Sequence, residues 1–157
     1  MSEVEELLGV LEEMERRQRR KGRLKWFPDT GPFSYSHYPK HMEFWTLGRE
    51  MKERAMMAAN RIGKTSAGAY ELSRHLTGNY PKWWPGRRYT RPVTALVAGD
   101  TAQTVKDIVQ RSLLGEVGHW GEGMVEGDSI TRWVPKPGVP DAIQALYVKH
   151  VTGGVSE

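Results

Sequence analysis

The stretch Ala58-Ala59-Asn60-Arg61-Ile62-Gly63-Lys64-Thr65 constrains the fold more than any other part of the chain. A short apolar run, Ala55-Met56-Met57, precedes it, and helical apolar spacing at Ala69, Leu72 and Leu76 follows it. A chain that turns from strand to helix through a glycine-containing loop gathers backbone N–H groups at the mouth of the helix. A first position, four residues, then Gly-Lys-Ser/Thr is the spacing of a phosphate-binding loop, with Ala58 where that pattern has its first glycine. Gly63 lets the backbone approach phosphate closely, and Lys64 offers a point charge to β- and γ-phosphates. The Thr65 hydroxyl suits a Mg²⁺ ion bridging those oxygens, and the helix dipole favours the anion. ATP and Mg²⁺ are thus the expected ligands, with Ala59, Asn60, Arg61, Ile62, Gly63, Lys64, Thr65 and Ser66 around the nucleotide.

Two points within the loop stay open. Arg61 is a second phosphate cation or a sensor of a neighbouring subunit, able to stabilise transition-state charge, or else a solvent-facing or carboxylate-paired arginine. Ala58 would cost ~1–2 kcal/mol if its position required positive φ. The competing reading of the whole motif is an ordinary strand-to-helix turn in which Lys64 is a solvated first-turn lysine.

The rest of the sequence sets bounds. At 157 residues, with 38% hydrophobic and 27% charged positions, the chain suits one globular domain with its own core. No apolar run approaches the ~18 residues of a membrane span, and the acidic opening is unlike a secretion signal. Without cysteine there are no disulfides or thiolate metal sites. A net charge of +4 permits a nucleic-acid partner. The charge is unevenly spread: glutamates fill residues 1–15, and Arg16, Arg17, Arg19, Arg20, Lys21, Arg23 and Lys25 follow. A second basic stretch, Lys82, Arg87, Arg88 and Arg91, is interleaved with Trp83, Trp84 and Tyr89.

Residues 1–36 read as an N-terminal helix and linker, and 37–157 as the main domain. Ser2 and Glu5 have capping-box spacing, and Val4, Leu7, Leu8, Leu11 and Met14 form a stripe expected to pack on the domain or a partner subunit. Trp26 to Pro39 reads as an ordered linker. A helix is expected from Lys40 to Arg54, anchored by Phe44, Trp45 and Leu47. Strands are expected at Ala55–Met57, Val93–Ala98 and Ala145–Val151. The loop helix should run to Thr77 and stop at Gly78. Another should span Thr101 to Leu114, opened by an Asp100/Gln103 capping box and closed by Gly115. Met124 to Val134 could be a hairpin around residues 126–129. This alternation implies a layered α/β fold with a mainly parallel sheet.

Other chemistry-bearing groups carry less. His37 and His41 have helical metal-ligand spacing, but Pro39 lies between them and no third ligand is evident. The indoles and arginines of residues 82–91 could grip DNA, or the rings could belong to the core beneath a surface loop. The basic run from Arg16 is a solvated helix face or a phosphate or subunit contact.

Tyr38-Pro39-Lys40-His41-Met42-Glu43-Phe44-Trp45, followed by Glu53 through Thr65, resembles the large terminase subunit of tailed bacteriophages. Tyr80-Pro81 with Trp83 to Arg88, and His150 to Ser156, are also similar to that family, so the resemblance spans roughly residues 37–156. It implies a RecA-like, three-layer P-loop ATPase domain, here truncated, whose hydrolysis drives double-stranded DNA into a procapsid. It also implies a following nuclease domain, a small terminase subunit and portal as partners, a homo-oligomeric ring, and the cytoplasm of an infected bacterium as location. The resemblance places Tyr38 near the adenine, although the same ring could be core. The family's apolar strand ending in Asp-Glu has no counterpart in the sequence. Leu96-Val97-Ala98-Gly99-Asp100 is the nearest approach, and Asp100 has a sufficient role as an N-cap. Nucleotide binding without turnover is therefore expected of this chain. The alternatives are another P-loop enzyme, such as a helicase or small-molecule kinase, and a non-enzymatic module that grips nucleic acid.

Overall fold

The computed structural model describes residues 3–19 and 26–157. Ser2 and the basic residues from Arg20 to Lys25 lie outside them.

Helix α1 (Glu3–Arg19) is built from strong helix formers, and Glu13 accepts from Arg16 and Arg17 on the next turn. Those two guanidinium groups hold the Glu13 carboxyl down to about 2. The stripe Val4, Leu7, Leu8, Leu11 and Met14 is exposed rather than packed on the domain.

Helix α2 (Pro39–Leu47) is shorter than the sequence suggests. Proline in its first turn suits a helix start. Arg54 folds back to donate from Nη1 to the Phe44 carbonyl at 2.6 Å, satisfying an end group of the helix. Trp45 is fully buried, Phe44 carries the Arg54 guanidinium on its ring face, and Leu47 is exposed.

Helix α3 (Lys64–Thr77) starts at Gly63 and stops at Gly78, whose φ of 69° no side chain hinders. Ala67, Ala69, Tyr70 and Leu76 give it a buried face. Tyr70 joins Phe27, Trp45 and Trp84 in an aromatic core with ring centroids 5.0–6.0 Å apart. Arg74 is also wholly buried, donating to the carbonyls of Asn79 and Met124 and to the Glu126 carboxylate.

Helix α4 covers residues 102–114 as one continuous run: Ala102–Thr104, a π-bonded stretch Val105–Gln110, and Arg111–Leu114. Its N-cap is Thr101, whose Oγ1 accepts from Thr104 N–H, and not Asp100, which accepts from Thr101 N–H. Gly115 ends it as expected, at φ 97°.

The strands are β1 (Ile130–Pro135), β2 (Ile143–Lys149) and β3 (Val155–Ser156), in sheet order β1-β2-β3 and antiparallel throughout. Residues 126–129 enter β1 through a short 3₁₀ turn, and the hairpin loop lies between β1 and β2 instead.

The expected RecA-like fold with a mainly parallel sheet is not what this chain forms. Ala55–Met57 and Val93–Ala98, the strands forecast on either side of α3, have no regular secondary structure and belong to no sheet. Met57 is 92% and Leu96 93% exposed. An apolar run shows that a segment can be extended; a ladder also needs a neighbour at hydrogen-bonding distance. Here the sheet forms between sequence neighbours joined by short connections, which lowers the entropy cost of closure. One parallel-type exchange touches Val93–Ala95: Glu157 N–H donates to the Val93 carbonyl, and Ala95 N–H to the Glu157 carbonyl. No helix among the described residues is long and apolar enough to cross a membrane.

Candidate functional site

The segment Ala58–Thr65 is a turn that delivers the chain into α3. Its left-handed residues are Arg61 (φ 63°) and Gly63 (φ 83°); Ala58 has ordinary negative φ, so alanine is tolerated there. Arg61 takes the unusual conformation instead. Lys64 arches back and donates from Nζ to the Ala58 and Ala59 carbonyls at 2.5 and 2.8 Å. The ammonium thus closes the loop on itself, with carbonyls and not carboxylates as its partners.

The amides are arranged differently. Among the described residues, none of the N–H groups of residues 59–63 has a backbone or side-chain acceptor, and no side chain caps α3. The first-turn amides of Lys64, Thr65 and Ser66 add to these. Neighbouring N–H groups at a helix start, with left-handed residues among them, have the chemistry of an anion nest.

A cavity of about 570 Å³ adjoins this turn, lined by Trp26, Phe27, Phe33, Tyr38 and His41 on one side and Arg61, Ile62, Gly63 and Ser66 on the other. Tyr38, expected near the base from the resemblance, is thus brought beside the loop. Trp26, Phe27 and Phe33, in a segment whose sequence suggests only a linker, line the cavity as well, and His41, which the sequence offers only as half of a weak metal-ligand pair with His37, faces the loop instead. The aromatic density of that segment was the available signal. Tyr38 stacks on His41 at 5.3 Å with the planes 3° apart, and Phe27 meets both edge-on. His41 is buried, and its Nε2 lies 3.1 Å from the Ile62 carbonyl. Burial pushes its imidazole below the ordinary histidine range, and the Ile62 carbonyl partly opposes that shift. No group of three or more potential metal ligands occurs among the described residues.

The basic aromatic segment divides by chemistry. Trp84 is buried and donates from Nε1 to the Arg87 carbonyl, while Trp83 stacks on Tyr35 at 4.2 Å. The indoles therefore belong to the core. Lys82, Arg87, Arg88 and Arg91 face solvent, with Arg88 lying over the Tyr80 ring. Burial pushes the Tyr80 hydroxyl up to about 12, so it stays protonated while accepting from Tyr89 N–H. A charged surface on a rigid aromatic base can contact phosphates but leaves no indole free to stack on a nucleobase.

A family model described as "Terminase large subunit, T4likevirus-type, N-terminal" matches residues 55–154. The large terminase subunit of Salmonella phage P22 is 34% identical over 135 residues, covering 76% of this chain and 27% of that protein. The chain therefore spans well under half the length of that relative. No solved structure matches.

Proposed function

The chain belongs to the terminase large-subunit family, and we propose that it is the nucleotide-binding part of an ATP-driven motor that moves double-stranded DNA into a procapsid. The observation that carries this reading is the junction of two complementary surfaces: unpartnered amides with a lysine at the start of α3, and an aromatic-lined cavity beside them. A nucleoside triphosphate has the same two halves. The amides of residues 59–66 would receive the phosphates, and Tyr38 and its aromatic neighbours the base. Lys64 would exchange its two carbonyl acceptors for phosphate oxygens, which carry more charge and bind an ammonium more strongly. Arg61, lining the same cavity, would add a second cation.

Thr65, exposed at the first turn, would hold Mg²⁺ through its hydroxyl; the ion would supply charge neutralisation between the terminal phosphates. The exposed Arg87, Arg88, Lys82 and Arg91 fit non-specific contact with a DNA backbone. A small terminase subunit, a portal, a homo-oligomeric ring, a nuclease elsewhere in the protein and the cytoplasm of an infected bacterium complete the proposal. Family membership displaces the helicase and small-molecule-kinase alternatives.

Binding tests this directly. The purified chain should bind the magnesium complex of a fluorescent ATP analogue, and Lys64→Ala should weaken it by a factor of about ten or more, as expected for losing a charge-assisted contact. Equal affinity in the two proteins would remove the basis for the proposal.

A further inference from the structure

His41 stands 21 positions before Ile62 in the chain, yet its ring nitrogen reaches that residue's carbonyl from helix α2. The imidazole also sits directly against the glycine: a Cβ built on Gly63 would lie 3.0 Å from His41 Cε1. Tyr38 and Phe27 fix the ring from the other sides.

The proton position follows from the acceptor. Ile62 offers a carbonyl, so Nε2 must carry hydrogen to bond it, and Nδ1 is left as a buried lone pair with no partner among the described residues. The opposite tautomer would bury an unsatisfied N–H and set two lone pairs against each other, which costs more. The consequence lies across the peptide bond. The Ile62–Gly63 peptide is trans, so its carbonyl and its N–H point in opposite directions. A carbonyl held toward α2 turns the Gly63 N–H away from α2 and into the turn that opens α3.

We propose that His41 is a positioning residue which, by holding the Ile62 carbonyl, aims the Gly63 amide at an anion bound in the turn. The inference rests on the reading of that turn as a polyphosphate site. His41 touches no phosphate; it acts through one peptide unit. The expected ligand dependence is therefore on the phosphate chain, and the base contributes nothing to this effect.

Three variants and two probes test it. The magnesium complex of a fluorescent ATP analogue and inorganic triphosphate are titrated into wild type, His41→Phe, His41→Gln and Lys64→Ala. Phenylalanine keeps a ring and loses the donor; glutamine keeps an N–H at a comparable reach. His41→Phe should weaken both probes about three- to tenfold, the scale of one hydrogen bond, and His41→Gln should recover most of the loss. Equal weakening by Phe and Gln would reduce His41 to a packing residue and overturn the proposal. Wild-type affinity in His41→Phe would overturn it while leaving the site intact, provided Lys64→Ala still binds about tenfold or more weakly than wild type. No binding by wild type would sink the polyphosphate reading and this inference with it. Nitrogen NMR of the wild-type imidazole adds a measurement independent of whether His41→Phe folds. The proton should sit on Nε2, and an Nδ1–H tautomer would refute the mechanism.

Discussion

Arg61 holds φ at 63° in a turn where glycine is the residue usually found in that region. For an L-residue the left-handed conformation costs ~1–2 kcal/mol, because Cβ crowds the following carbonyl oxygen. Replacing it by glycine removes that cost but gives the unfolded chain ~0.5–1 kcal/mol more entropy to lose. The two effects nearly cancel, so Arg61→Gly should unfold within about 1 kcal/mol of wild type. Arg61→Val, with branching at Cβ, should be less stable than Arg61→Gly by roughly 1–2 kcal/mol. Urea denaturation of the three proteins checks the order; a valine variant as stable as the glycine one would mean the turn does not hold this conformation in solution. A strained non-glycine residue lining a cavity is retained against its cost, which is why Arg61 and not Ala58 marks the turn.

At the scale of elements, α3 is fixed at both ends, by the turn at Gly63 and by Gly78, against which the fully buried His150 packs. His150 Nδ1 accepts from Thr152 N–H, and Val151 N–H donates to the Thr77 carbonyl, so the β2–β3 turn is tied to the end of the helix. Burial holds the His150 imidazole below its ordinary range, as it does His41. A group with a depressed folded pKa binds fewer protons folded than unfolded. Its stabilisation is complete above the unfolded value of about 6.5 and is lost as pH falls below it. The unfolding free energy should therefore decline between pH 7 and pH 5, and His150→Asn, which keeps an acceptor for Thr152 N–H, should flatten part of that decline. An unchanged slope would place the His150 imidazole in water. The helix and its two glycine ends were legible in the sequence because capping is local chemistry, settled within a few residues. Segments 55–57 and 93–98 depart from the expected strands for the opposite reason. Apolarity marks a strand candidate, but pairing is decided by what lies alongside, and local sequence carries no record of that. The candidate site divides the same way. The Gly63-Lys64-Thr65 turn could be read from spacing, whereas His41 and the Trp26–Phe27–Phe33 wall reach it only through tertiary packing.

For the molecule as a whole, one of the contacts that join the helical part to the sheet-bearing part is a buried polar one. Arg74 on α3 is 0% exposed and donates to Met124 O at 2.7 Å and to the Glu126 carboxylate at 3.1 Å, some fifty positions along the chain. A further donation, to Asn79 O at 3.0 Å, ties the guanidinium to the chain just past the end of the helix. A buried cation with each of its nitrogens directed at an acceptor favours one arrangement of the two segments, because a shift leaves charge unpaired in a poorly solvating interior. Hydrophobic contact alone tolerates sliding; a planar fork on two carbonyls and a carboxylate does not. Removing the cation should therefore cost more than its packing volume suggests. Arg74→Met leaves Glu126 and the two carbonyls without their donor, and should destabilise the chain by about 3–5 kcal/mol or prevent folding. Glu126→Gln keeps an acceptor for the guanidinium and should cost about 1–3 kcal/mol. The double variant should be less unstable than the sum of the two, by ~1 kcal/mol or more, since the second change removes a carboxylate already orphaned by the first. Urea unfolding of the four proteins measures that difference. Strict additivity, or a loss below about 1 kcal/mol in Arg74→Met, would show that the two parts are held by apolar packing and that the guanidinium is incidental to their arrangement.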